Sequence, residues 1–174
     1  IYRHGVLDGE VDNISKYWRD DLVSFLIGCS FTFEAALERS GINVRHNDEG
    51  TIVPMFFTNL QTKPAGKFFG PMIVTMRPIH RDKVVRAVQV TSRFPSVHGA
   101  PIHIGDPSRL GIVDVNNPDF GDPVEIKEDE IPVFWACGVT PQAVAMSSKP
   151  PFMITHSPGH MFVTDIKDES LSVI

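Results

Sequence analysis

The stretch "GPMIVTMRP" (residues 70–78), followed closely by "RDKVVRAVQVTSRF" (81–94), decides the fold class. The first is an apolar run closed by glycine at one end and proline at the other, which reads as a strand. The second reads as a helix despite its valines, with Val84, Val85 and Val88 toward a packed face and Arg93 at a polar end. Upstream, "TIVPMFFTNL" (51–60) is a second strand, and Pro54 places it near a sheet edge. Earlier still, "NISKYWRDDLVSFLIG" (13–28) puts Trp18, Leu22, Phe25 and Leu26 on one helical face, with Gly28 as its stop. "CSFTFEAALERSG" (29–41) then reads as a short helix capped by Ser30 or Thr32, with Glu34 in its first turn and Gly41 at its close.

Downstream of residue 99 the texture changes. The runs "PIHI", "LGIVDV", "PVEI", "IPVFWAC", "FMITH" and "HMFVTD" alternate with Gly/Pro/Asp turns and read as short strands. Only "TPQAVAMSS" (140–148) reads as a helix there, with Thr140 as N-cap and Pro141 in the first helical position. The expectation is a mixed α/β protein with its helices early and a sheet-rich second half. No repeat, tether or low-complexity segment divides it.

Bulk properties narrow the function classes. A chain of 174 residues suits one domain or two small ones sharing a core. Sixteen basic against 21 acidic residues leave a net charge of −5, and the basic residues form no stripe, which argues against nucleic-acid binding. No apolar run approaches the roughly 20 residues that cross a bilayer, so a membrane partner is not expected. Cys29 and Cys137 lie far apart in apolar runs, a poor disulfide framework that fits a reducing, cytoplasmic setting.

Four of the seven histidines fall in two rigid loops, "HGAPIHIGDP" (98–107) and "THSPGHMFVTD" (155–165). In the first, His103 points opposite to Ile102 and Ile104, which reads as a strand leaving a buried sheet, and Asp106 is placed to orient an imidazole. In the second, His156 and His160 flank a Ser-Pro-Gly turn. Pro158 and Gly159 exclude the helical zinc pair, and no third ligand stands at a recognisable spacing. His98, His103, Asp106, His156 and His160 are therefore the candidate catalytic groups. A structural histidine with an Asx-type turn is the plain alternative for each loop.

"VFWACGVTPQ" (133–142) is a strand, a sharp turn and a capped helix. Cys137, Gly138 and Thr140 sit where free N–H groups favour an anion, although a packing cysteine explains Cys137 equally well. "GCSFTFEAAL" (28–37) offers Ser30 and one carboxylate at another helix start. Arg77 and Arg93 each end an apolar element, as a carboxylate fork would, and "EIKEDE" (125–130) reads as a solvated turn. No Walker, dinucleotide or nucleophile-elbow motif is present. These residues together describe a polar pocket for a small anionic metabolite.

Five of these stretches, in order, resemble the hydro-lyase family that includes D-glutamate cyclase. They are "GCSFTFEAAL", "AGKFFGPMIVTMRP", "TSRFPSVHGAPIHIGDP", "IPVFWACGVTPQ" and "PFMITHSPGHMFVTD". The resemblance implies one unit over residues 1–174 made of two intertwined subdomains, a three-layer α/β/α sandwich and a two-layer α/β sandwich. It also implies cyclodehydration of D-glutamate to 5-oxo-D-proline. Read from the residues themselves, Arg77, Arg93, Ser30, Cys137, Gly138 and Thr140 are the candidates to hold such a substrate. The family's further N-terminal segment, with a "PG-x-x-QANL"-type motif, is not among these residues. Such chemistry needs a base, oxyanion donors and an acid, and no organic cofactor. A metal-dependent lyase built on the histidine loops, and a module that binds an acidic metabolite without turnover, are the competing readings. Chelator separates the first and product formation the second. Homo-oligomerisation is left open.

Overall fold

The computed structural model describes residues 1–173. In chain order it contains β1 (Tyr2–Arg3), β2 (Val6–Leu7), α1 (Glu34–Arg39), α2 (Arg45–Glu49), β3 (Met55–Gln61), β4 (Pro71–His80), α3 (Val84–Thr91), β5 (His103–Ile104), β6 (Glu130–Ala136) and α4 (Thr140–Ser148). It is a mixed α/β structure. A two-stranded hairpin, β1–β2, stands beside a four-stranded antiparallel sheet of order β3-β4-β6-β5.

β4 is an interior strand of that sheet, and this explains its largely apolar character: residues Ile73 to Ile79 are all buried. Because side chains alternate across a strand, the even and odd positions of β4 serve different layers. Val74 and Met76 point with Phe56 and Phe134 into a core closed by Leu110, Ile112 and Val124, which come from irregular chain. Ile79 points to the opposite face, packing with Val133, Trp135, Phe33, Leu37, Ala87 and Val90 beneath α1 and α3. On that same face Ile73 joins Met55, Cys137 and Ala143 beneath α4. Between these two apolar clusters, Thr75 and Arg77 share the odd face of β4. The seam between two helix-covered cores is thus lined by a hydroxyl and a guanidinium.

Pro54 immediately precedes β3, and β3 is an edge strand, as expected. Other expectations need correction. Residues 13–28 form no helix: short turns occupy 15–17 and 20–21, and 22–29 carry no regular structure. Trp18, Phe25 and Leu26 are exposed, so the apolar stripe faces no core, and a helix without a packed face is marginal in water. The Asn13 side chain instead accepts from Ser15 N–H, fixing a local turn. The second half is not sheet-rich either. Only β5 and β6 are strands there, while "LGIVDV", "PVEI", "FMITH" and "HMFVTD" serve as irregular cover, Met153 adding a single bridge to Tyr2. In the first two runs the apolar content reflects burial under the sheet at Leu110, Ile112 and Val124, which needs no strand, whereas Phe162 and Val163 of the last are exposed.

On α3 Val84 packs against the core with Ala87 and Val90, as expected, while Thr91 is buried beside them; Val85, also expected on that face, is exposed and Val88 only half-buried. Ile102 and Ile104 are exposed on the edge strand β5, so His103 does not emerge from a buried sheet. Glu130 is not part of a solvated turn. It opens β6 and forms a two-pronged pair with Arg45, at 2.7 Å from Nη1 and 2.5 Å from Nη2.

Candidate functional site

The seam on the odd face of β4 holds a network of buried polar groups. Arg77 is 1% exposed, and its planar guanidinium is bound on every side. Its Nε donates to Glu34 Oε1 at 2.9 Å, and Nη2 donates to the same oxygen. Nη2 also donates to Ser30 Oγ at 3.2 Å and Nη1 to Thr75 Oγ1 at 3.0 Å. The rings of Phe33 and Trp135 lie 5.3 and 5.4 Å from its Cζ, so the cation is also held over aromatic faces. His46, buried on α2, brings Nε2 to 3.0 Å from Glu34 Oε1. Asn47 donates to Glu34 Oε2 at 3.3 Å.

Burial resists ionisation of Glu34, but the Arg77 charge and the His46 contact outweigh it. The carboxyl therefore lies below its ordinary value. Ser30 is buried as the first residue of the 3₁₀ turn that leads into α1, and it caps nothing; its hydroxyl accepts from Arg77.

His98 borders this seam. It follows a short 3₁₀ turn at Pro95–Val97 and takes a left-handed backbone, φ +81°, a conformation that a residue with a Cβ adopts only where the surroundings enforce it. Its Nε2 is shielded from solvent and has no hydrogen-bond partner among the described residues. Burial, reinforced by the Arg77 charge, lowers the imidazole from its ordinary value, although the nearby Gly28 carbonyl pulls the other way. Burial thus favours the neutral imidazole of His98 at neutral pH, beside the Gly28 carbonyl.

Cys137 and Gly138 form the turn from β6 into α4. Burial pushes the Cys137 thiol up to about 11, and its Sγ accepts from Val139 N–H at 3.4 Å. A thiol in that state is a packing residue within the Val53–Met55–Ile73 core. Cys137→Ser is accordingly expected to retain most of whatever activity the protein has, and the thiol should react with iodoacetamide only on unfolding. Rapid labelling of the folded protein at pH 7 would contradict this. Thr140 is the first residue of α4 and not its cap; its Oγ1 donates to Cys137 O at 2.8 Å, tying the turn. Pro141 stands in the first turn as expected.

The remaining candidates are distributed. Register opposes His103 to Phe134, so its ring lies on the even face of the sheet, 5.8 Å from that phenyl ring and away from Arg77. Its Nε2 meets the backbone carbonyl of Asp106 at 2.8 Å. The Asp106 carboxylate instead caps Ser108 N–H at 3.0 Å, the Asx-type turn. His156 and His160 present exposed side chains, and the His156 carbonyl accepts from Gln142 Nε2 at 2.6 Å, which anchors that loop to the first turn of α4. Both histidine loops therefore reach the start of α4, one through a ring and the other through a carbonyl. Arg93 is exposed on the rim of a separate open groove of about 670 Å³ between α1, α3 and the C-terminal turn, together with Arg39 and Arg86. Among the described residues no three His, Cys, Asp or Glu side chains gather as a metal site would require.

Sequence reasoning missed His46 as a partner of Glu34, and it missed Gln142. Thr75 was visible in principle, since it stands two residues from Arg77 on a strand and so must share its face.

The histidine shifts carry a stability consequence. His98 lies below the ordinary 6.5, chiefly through burial, and the more exposed His156 is lowered by partial desolvation and the neighbouring His160, so the folded state resists protons that the unfolded chain accepts. Stability should therefore fall as pH drops below 6.5. A second loss should follow below 4.5, as Glu34, held under its ordinary value, is forced to protonate. Thermal midpoints between pH 7.5 and 3 should show both stages; a flat profile from 7 to 5 would remove the first.

A shielded imidazole at the turn into α4 and a buried guanidinium network mark the candidate site of this mixed α/β chain. The chain belongs to the D-glutamate cyclase family, whose sequence model matches residues 23–165. It is 69% identical over 172 residues to a Thermoanaerobacter protein named "Putative hydro-lyase", covering 99% of this chain and 65% of that one. Proteins of the same name in Stutzerimonas stutzeri and Bacillus subtilis are 64% and 63% identical over 174 residues, all of this chain and 66% and 68% of theirs. The chain thus spans about two thirds of the length of these relatives. No helix among the described residues is long and apolar enough to cross a membrane.

Proposed function

We propose that this chain carries the catalytic centre of a hydro-lyase that cyclises D-glutamate, or a close acidic amino acid, to its lactam. The observation that carries the reading is the buried, unpartnered Nε2 of His98 at the turn into α4. In the reaction the ammonium group of the substrate loses a proton to His98 and the free amine attacks the γ-carboxyl carbon. One carboxyl oxygen leaves as water after taking up two of the protons that began on nitrogen, and the third stays on the lactam. Glutamate thereby yields 5-oxoproline and water, with no electron transferred.

Three features support the assignment. Burial keeps His98 unprotonated at neutral pH, the state a base requires. The Gly138 N–H has no acceptor among the described residues and stands just before α4, where the helix dipole favours developing negative charge. Arg77 contributes positive charge close enough to help lower His98, while most of its donors are engaged by Glu34, Ser30 and Thr75.

Incubation of the full chain with D-glutamate, with chelator and with added divalent metal in parallel, should release 5-oxo-D-proline in every case. Formation only with metal would favour the metal-dependent alternative. Binding of D-glutamate without any product would reduce the protein to a binding module.

A further inference from the structure

The groove between α1, α3 and the C-terminal turn carries a charge excess that neither the fold nor the site at α4 uses. It encloses about 670 Å³, and three guanidinium groups line it: Arg39 from α1, and Arg86 and Arg93 from α3 and the turn that extends it. Arg86 and Arg93 stand about two helical turns apart on one side of α3, with Gln89 between them. Val90 and Phe94 lie buried beneath and give the groove an apolar floor. Glu169 is the only acidic side chain among the described residues that line it, in a chain whose net charge is −5.

Ordinary structural roles leave this excess unexplained. Among the described residues Arg3, Arg19, Arg39, Arg45 and Arg77 each meet a carboxylate, whereas Arg86 and Arg93 meet none. Arg93, just past the last turn of α3, complements the helix dipole. Arg86 stands in the first turn, where a cation opposes it. Arg39 meets Glu169 at 3.1 Å, but more than half of each side chain is exposed, so the pair is a weak one.

We propose that this groove binds a multivalent oxyanion, a phosphate ester or a polycarboxylate, across Arg39, Arg86 and Arg93, displacing Glu169 from Arg39. The site is distinct from the α4 turn and does not depend on the cyclase reading. Guanidinium forks match the paired oxygens of both kinds of anion. Glu169 sets the minimum charge of the ligand. It is tethered beside Arg39 at an effective concentration on the order of millimolar, so a single carboxylate would only exchange one weak exposed pair for another. An anion with two or more charges also bridges Arg86 and Arg93, which have no other counter-charge in the groove, and relieves their repulsion.

The test titrates pyrophosphate, citrate and acetate into the full chain at low salt, read by calorimetry and by thermal midpoint. Pyrophosphate or citrate should bind one to one and raise the midpoint, the tighter of the two naming the source, and acetate should not bind. Arg86→Ala and Arg93→Ala remove exposed side chains, so both should keep the midpoint of the free protein. Each should weaken the binding about tenfold, the worth of a hydrogen bond to a charged group. Glu169→Gln should tighten it about two- to fivefold, the worth of the exposed pair that no longer competes. Arg109→Ala removes the same charge from the turn that covers the even face of the sheet, and it should change nothing. Binding of neither multivalent anion, acetate binding as tightly as either, full binding in Arg86→Ala and Arg93→Ala, an equal loss in Arg109→Ala, or no gain in Glu169→Gln would each overturn the proposal.

Discussion

Arg77→Met should destabilise the protein by about 3–5 kcal/mol, the cost of leaving one partner of a buried ion pair alone. The pair is an interior one: Arg77 is 1% and Glu34 6% exposed, and the guanidinium reaches Glu34 through both Nε and Nη2. Removing it strands a carboxylate whose remaining contacts are His46 and Asn47, while Ser30 and Thr75 lose the donor that their buried hydroxyls now meet. For a chain of this length the thermal midpoint should drop by roughly 6–20 °C. Arg77→Lys should recover little, since an ammonium cannot reproduce the fork or the stacking between Phe33 and Trp135. The double variant Arg77→Met with Glu34→Gln should be more stable than Arg77→Met alone, because the stranded charge is gone. A loss below about 1 kcal/mol in Arg77→Met would show that the network contributes little, and a double variant no better than the single would place the cost in packing.

The same residue shows where a sequence is informative and where it is silent. That β4 is a strand could be read from residues 70–78, because a central strand buried on both faces is apolar at nearly every position. An arginine inside such a run has to be paired. Its partner, Glu34, is 43 positions away at the first residue of α1, and no local pattern announces a contact at that separation. The stretch 13–28 failed for the opposite reason. Its apolar spacing is helical, yet a stripe becomes a helix only when something covers it, and Phe25 and Leu26 stand 80% and 82% exposed. Among the histidines, composition flagged two loops but could not rank them. Strand parity assigns His103 to the Phe134 face, and only the backbone of residues 95–98 brings the His98 ring against Gly138. Turn chemistry at Asp106 was legible as an alternative, and the cap on Ser108 N–H is the form it takes.

His98→Asn should lower kcat for lactam formation by about 10²–10⁴-fold, the range for loss of a positioned general base. Asparagine is the informative replacement. It tolerates the left-handed backbone that His98 adopts at φ +81°, so the turn and the close approach of Gly28 to Val97 should survive. It also keeps a polar group near the Gly28 carbonyl, and so substrate binding should weaken far less than turnover. A general base acts in the transition state, and its removal reduces kcat and kcat/KM together with little change in KM. The pH profile supplies an independent readout. With the imidazole in place, kcat/KM should rise with pH through a value below the ordinary histidine range, since burial and Arg77 both depress the ring. That limb should vanish in His98→Asn, while the limb set by the substrate's own ammonium group remains. His103→Asn, on the other face of the sheet, is the matched control and should leave both kcat and the profile close to wild type. If His103→Asn is the variant that loses turnover and His98→Asn keeps it, the reacting centre lies on the even face of the sheet, and the site at the α4 turn is not the catalytic one.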